Sequence, residues 1–284
     1  MSFPRSKPPS NTSSGSQMLD FLTDGEKELV DSMTRLGHDL IAWRNDPSAR
    51  HSISSHGLKL QADRWAHERL VDKLTQIWPH IPVISEEDAS HCAHRPQQYW
   101  LIDPIDGTAS WLHGFDGFVT QVALMEDGQP VAGFVNAPMR ANFYIGLAGR
   151  GAFLNGIRIP ARMENELHNP VIVDNTPEPH GIVEELMRRI PLQYRESGSL
   201  GLKCCMISNR EADLFVKDVL VRDWDLAPAF VILNEIGGVL LQRDGSPYLF
   251  EGSWEKTQGF IAAATPSLSR RIIDALSSFS NSAI

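Results

Sequence analysis

The chain has little cysteine: three residues in 284, two of them adjacent (Cys204 and Cys205). An odd count without framework spacing argues against a disulfide scaffold and for reduced thiols, with the vicinal pair as core packing. No run of eighteen or more apolar residues occurs, so no membrane span is expected. The opening "MSFPRSKPPSNTSSGSQ" has no apolar h-region, so no secretory signal is expected and cytoplasm is the predicted compartment. There is no basic run, and 26 Lys and Arg stand against 35 Asp and Glu, for a formal charge of −9. A nucleic-acid polymer is thereby excluded as partner, and an anionic small molecule requires local positive charge. No internal repeat is present.

What is there is a chain 42% hydrophobic, long enough for one large domain or two closely packed lobes. Residues 1–17, rich in Ser and Pro, are expected to form a disordered tail. Apolar residues recur at helical spacing from Leu19 to Trp43 and again in "ADRWAHERLVDKLTQIW", which predicts two opening amphipathic helices. Short β-rich runs follow, with Asp127-Gly128 as a hairpin signal, and predict a mainly antiparallel meander. Beyond Ile157, "VIVDN", "HGIVEELMRRI", "ADLFV", "WDLAPAFVILNEIGG" and "GFIAAA" read as alternating strands and helices, with Gly237-Gly238 stopping the helix that starts at Asp225. The predicted fold class is α+β with layered helices and sheets. It is divided into an N-terminal lobe over 18–155 and a C-terminal lobe over 156–284 that completes the site.

The chemistry concentrates in "YWLIDPIDGTASWL". "YWLI" reads as a strand, Pro104 keeps Asp103 out of a helix, and Gly107-Thr108 can begin one. Taken alone, these residues allow a plain reading in which Asp103 closes the strand and Asp106 caps the helix. Two more acidic clusters fall at similar places: Glu86, Glu87 and Asp88 after the strand "IPVIS", and Asp223 and Asp225 at a helix start. Two carboxylates about 4 Å apart repel by about 4 kcal/mol at an effective dielectric near 20, and few Lys or Arg lie nearby in sequence. Mg2+ takes oxygen ligands and leaves positions open for water and phosphate. The second reading is therefore that Asp103 bridges two ions and Asp106 holds one. Free N–H groups of Gly107 and Thr108 then receive a phosphate, and Thr108 orients a water for metal-assisted ester hydrolysis. His91 and His94, in a polar loop, read as solvated rather than as metal ligands.

"WLIDPIDGTASWL", with "ISEED" before it and "RDWDLAPAFVILNEIGG" after it, resembles the inositol monophosphatase superfamily of Mg2+-dependent, often lithium-sensitive phosphatases. "FVTQVALMEDGQPVAGFVNAP" and "AGRGAFLNG" extend the likeness over roughly residues 63–264. The resemblance implies an α-β-α-β-α layered sandwich of the inositol monophosphatase and fructose-1,6-bisphosphatase type. It implies that Glu86, Asp103 and the Ile105 carbonyl hold one Mg2+, and that Asp103, Asp106 and Asp225 hold a second. Glu87 acts through water or a third ion, and Asp63 pairs with Thr108 to activate the nucleophilic water. Leu60 stands where the family has the Thr of T-x-x-D, and "HSISSHG" replaces its lysine-and-acid loop. A homodimer is a form the family often takes.

Within the superfamily, "GSLGLKCCMISNREADLFVKD" looks like the G-S-x-x-K-x-C element of bacterial 3'(2'),5'-bisphosphate nucleotidases. This makes Gly198, Ser199, Lys203 and Lys217 the expected substrate contacts, with Lys217 meeting a second phosphate. Asp218 falls where inositol phosphatases place an acid for substrate hydroxyls. The expected partner is a small phosphorylated metabolite, with inositol 1-phosphate and histidinol phosphate as alternatives to the bisphosphate nucleotide. A phosphate binder without turnover is the rival of another class, and the presence of Glu86, Asp103, Asp106, Thr108 and Asp225 together argues against it.

Overall fold

The computed structural model describes residues 19–46, 55–88, 95–164, 167 and 169–280. The expected tail over 1–17, and His91 and His94, lie outside the described residues. Helix α1 (Asp24–Asn45) starts later than the apolar repeat, because Thr23 and Glu26 form a reciprocal capping box that fixes its first turn. Its Leu29, Met33, Leu36 and Leu40 are buried at i, i+4, i+7 and i+11. Helix α2 (Ser55–Ile77) begins seven residues before the predicted Ala62, where no apolar periodicity signals it.

Strands β1 (Val83–Ser85), β2 (Gln98–Asp106), β3 (Val119–Glu126), β4 (Gln129–Ala137), β5 (Asn142–Leu147), β6 (Gly151–Leu154) and β7 (Ile157–Ile159) form one seven-stranded sheet in sequence order. It is antiparallel throughout except for the β1–β2 pair. Asp127 and Gly128 turn the β3–β4 hairpin with φ of 48° and 77°, as Asp-Gly predicts. Short helix α3 (Thr108–His113) follows β2.

The rest of the chain supplies β8 (Val171–Asp174), α4 (Ile182–Arg189), β9 (Gln193–Glu196), α5 (Leu200–Ser208) and β10 (Leu214–Lys217). It continues with β11 (Val221–Arg222), α6 (Asp223–Glu235), β12 (Val239–Gln242), β13 (Glu255–Lys256), β14 (Phe260–Ala263) and α7 (Pro266–Ser280). The second sheet runs β12-β14-β10-β8-β9, and β11 pairs with β13 alone.

The layers follow from side-chain alternation along the strands. Trp100 and Ile102 of β2 point into a core with α1 and α2, whereas Tyr99 and Leu101 point into a second core with α5 and α6. Phe215 and Phe260 of the second sheet face that same inner core, while Val216 and Ile261 face a third core with α4 and α7. The result is the five-layered α-β-α-β-α sandwich of an α+β protein, with α5 and α6 between two sheets. No helix among the described residues is long and apolar enough to cross a membrane.

Candidate active site

The answer to the D-P-I-D spacing is a bulge. In a regular strand, residues three apart point to opposite faces. Here Asp103 pairs with Gln121 and Asp106 pairs with Val119, so three steps along β2 match two along β3. Pro104, which cannot donate to the ladder, lies within the irregularity, and the extra residue turns both carboxylates to one side. Asp106 is thus the last strand residue and not the cap of α3. That position belongs to Gly107, in the left-handed conformation at φ 84°. A Cβ there would lie 2.8 Å from the Gly117 carbonyl oxygen, so the turn needs glycine.

Asp106 does meet a helix start, that of α5. Its carboxylate accepts from Ser199 Oγ at 2.6 Å, Gly201 N at 2.7 Å and Leu200 N at 3.2 Å. Ser199 is the N-cap of α5, its hydroxyl accepting from Leu202 N at 3.0 Å. Asp225 comes from the first turn of α6, which begins two residues earlier than predicted, and its Oδ2 accepts from Arg222 N at 2.7 Å. Glu86 follows β1, with its backbone N–H on the Ile102 carbonyl.

The four acids converge. Burial first, then the charges of Glu86, Asp106 and Asp225, hold Asp103 well above the usual carboxylate range. Burial and then Asp106 do the same to Asp225. Burial raises Glu86, with the charges of Glu87 and Asp106 adding to it and that of Arg222 opposing. Asp106 is raised by burial against the pull of its Ser199, Gly201 and Leu200 bonds. Asp103 Oδ1 is buried and has no hydrogen-bond donor. A buried acceptor without a donor is costly, and clustered carboxylate oxygens suit a hard divalent cation. Among the described residues no group of three or more His, Cys, Asp or Glu side chains stands arranged to hold an ion as it is. Both oxygens of Asp106, and Oδ2 of Asp225, accept from backbone or hydroxyl donors in this arrangement. The donor set fits Mg2+ by its chemistry.

Gln121, which sequence reasoning missed, ties the acids together. It is fully buried, and its Nε2 lies 3.4 Å from Asp103 Oδ2, 3.2 Å from Asp106 Oδ2 and 3.1 Å from the Trp224 carbonyl. That carbonyl would receive the N–H of residue 228 in a regular helix, but residue 228 is proline. The amide of Gln121 takes its place. A glutamine inside the apolar strand "FVTQVALM" was the signal for it. His67 was missed as well: it lies one helical turn after Asp63 and shares a 2.8 Å bond with Ser85 Oγ, which also accepts from Glu87 N.

Asp63 is buried on α2, which packs on α3. Thr108 Oγ1 donates to the Ile105 carbonyl at 3.0 Å. Beside the acids, a cleft of about 670 Å3 is lined by Asp106, Gly107, Gly198, Ser199, Lys203 and Lys217. Lys203 lies over the Phe215 ring at 4.9 Å, and burial pushes its ammonium down to about 8 although Asp106 opposes the shift. Lys217 Nζ meets Asp174 Oδ1 at 2.5 Å and Asn175 Oδ1 at 2.7 Å. Asp218 is not brought to this cleft. It lines a separate hollow with Gly181, Ile182, Glu185 and Arg243.

An acid cluster built from a bulged strand end and two helix starts, beside a cleft with two lysines, defines a class: phosphatases working on small phosphate esters. The inositol monophosphatase family model matches residues 43–280, and the chain belongs to that family. Its members are Mg2+-dependent phosphatases, and this chain is a phosphatase hydrolase acting on small phosphorylated substrates. It is similar to the 3'(2'),5'-bisphosphate nucleotidase CysQ of Aggregatibacter actinomycetemcomitans, 28% identical over 71% of this chain and 76% of that one. Inositol monophosphatase 3 of Solanum lycopersicum is also 28% identical, over 67% and 75%. The extragenic suppressor protein suhB of Bartonella henselae shares the fold at a TM-score of 0.75 with 23% identity, covering 90% of this chain and 100% of that one.

Proposed function

We propose that the protein hydrolyses a phosphate monoester with metal-activated water and that its substrate is a 3'(2'),5'-bisphosphate nucleotide. Inositol 1-phosphate and histidinol phosphate are the alternatives. The observation that carries the reading is the buried, donorless Asp103 Oδ1 among Glu86, Asp106 and Asp225, next to a cleft lined by Lys203 and Lys217. Glu86, Asp103, Asp106, Asp225 and the Ile105 carbonyl would hold two Mg2+ ions, with Glu87 reaching a third through water. Bound there, Mg2+ supplies polarisation of the phosphoryl oxygens and a lowered pKa of the attacking water.

The chain's own groups do the rest. Backbone N–H groups of Gly107 and Thr108 bind the reacting phosphate. Thr108 Oγ1 leaves the Ile105 carbonyl, accepts a hydrogen bond from the attacking water and donates to the Asp63 carboxylate, which holds the proton. Lys203 and Lys217 bind the second phosphate, and the buried setting of Lys203 strengthens its grip on an anion. Gly198, packed against the backbone of Gly117, and Ser199 shape the floor between residues 18–155, read as one lobe, and 156–284, read as the other. We place the enzyme in the cytoplasm, a reading supported by the free, buried Cys204 and Cys205, and assign it a homodimer on the family likeness.

Phosphate release is to be measured with adenosine 3',5'-bisphosphate, inositol 1-phosphate, fructose 1,6-bisphosphate and histidinol phosphate, each with and without Mg2+. The expected result is Mg2+-dependent turnover, fastest on the bisphosphate nucleotide, falling by more than about a hundredfold in Asp106→Asn. Turnover that survives Asp106→Asn removes the metal role of the cluster. A preference for inositol 1-phosphate overturns the substrate assignment.

A further inference from the structure

Among the described residues, two cationic side chains that line different hollows offset the acid cluster. Lys203 offsets Asp106 from the cleft. The other is Arg222, the residue before α6, which the proposed reaction does not use. Its guanidinium Nη1 lies 4.0 Å from Glu86 Oε1 while its Nε bonds Glu255 Oε1 at 3.1 Å. Its backbone N–H holds Asp225 Oδ2, and its charge opposes the upward shift of both Glu86 and Asp225. Glu86, Arg222 and Glu255 line a second hollow of about 370 Å3, walled by Trp224 and Trp254, away from the lysine-bearing cleft.

We propose that Arg222 is a positioning residue that sets the cation affinity of the cluster by competing with the ion for Glu86. This inference rests on the metal-dependent reading above. The guanidinium, anchored on Glu255, sits beside the Glu86 carboxylate at the edge of the second hollow. An ion that takes Glu86 must displace that contact and also tolerate a fixed positive charge nearby. Glu255 works in the other direction, since it holds the guanidinium from the far side and offsets part of its charge. Arg222 therefore weakens cation binding, and Glu255 limits how much.

The test is direct ion binding by the intact protein: Mg2+ calorimetry, and Tb3+ luminescence excited through Trp224, the neighbour of Asp225. Arg222→Gln is expected to bind both ions about fivefold more tightly, the scale of one unit charge at this distance in a solvent-like dielectric. Arg222→Lys keeps the charge and should stay near the wild type. Glu255→Gln releases the guanidinium toward Glu86 and should bind more weakly. Unchanged or weaker binding in Arg222→Gln, with wild-type binding intact, overturns the role of Arg222. Wild-type protein that binds neither ion overturns the metal reading instead. Should Arg222→Gln fail to fold, Glu255→Gln decides: binding equal to or tighter than the wild type refutes the competition.

Discussion

Single residues decide the chemistry through where their polar atoms are left. Asp103 and Asp106 share one side because of a one-residue bulge, and Gln121 holds both while completing the helix bond that Pro228 leaves open. Lys203 carries a testable pH signature. Its folded value of about 8 lies below the usual 10.5, chiefly from burial. Above pH 8 the ammonium is lost, so the Michaelis constant for a bisphosphate should rise there, and this rise should disappear in Lys203→Met; a pH series of steady-state kinetics checks it. The sign for stability is opposite. Between about pH 8 and 10.5 the unfolded chain keeps the proton and the folded chain does not, so the contribution of this group to stability increases with pH.

Among the elements, α6 is the one on which the site turns. It lies between both sheets, buried on nearly every side, and comes close to the backbone of the first sheet at two glycines. Gly133 of β4 and Gly146 of β5 are register partners. A Cβ on Gly133 would lie 2.0 Å from the Pro228 carbonyl oxygen, and one on Gly146 would lie 2.5 Å from Ile232 N. Gly133→Ala should push α6 off the sheet, cost about 1–3 kcal/mol in urea denaturation, and weaken Mg2+ binding because Asp225 moves with the helix. An unchanged midpoint would show that the helix repacks freely. Helix α5 explains why another part escaped notice in the sequence. Its residues from Gly201 to Ser208 are all buried, so "LGLKCCMIS" has no polar face and no amphipathic period to detect. By contrast α1, β8, α4, β10 and β14 were legible because each has one face toward a core and one elsewhere, or a clear apolar run with turn signals.

At the scale of the whole molecule, the site is where the two halves of the chain are joined. Asp106 from the first sheet receives the first turn of α5, and Gln121 reaches the carbonyls of Trp224 and Asp225. On the proposed metal-dependent reading, an ion held by the four acids at that junction is a structural partner as well as a catalytic one. Mg2+ at about a hundred times its dissociation constant adds about 2.7 kcal/mol, so the melting temperature should rise by roughly 4–5 °C and return with chelator. Asp103→Asn should melt higher than the wild type without Mg2+, since it removes a carboxyl whose burial and acidic neighbours disfavour ionisation, and should lose most of the Mg2+ response. A thermal scan with and without the ion checks both.

The sequence alone determined the fold class and the identities of the acids, because strand and helix periodicity, Asp-Gly and Gly-Gly stops, and D-P-I-D-G-T are local patterns set by neighbours in the chain. It also singled out Lys203 and Lys217, which both line the cleft. The tertiary structure alone decided that Asp106 anchors α5 rather than capping α3, that Asp218 lines a hollow other than the cleft, and that Gln121 and Arg222 come to lie against the acids. Those outcomes depend on a bulge, on a proline's missing N–H and on charges brought together from distant parts of the chain, such as Glu86 and Arg222, and no local pattern encodes them.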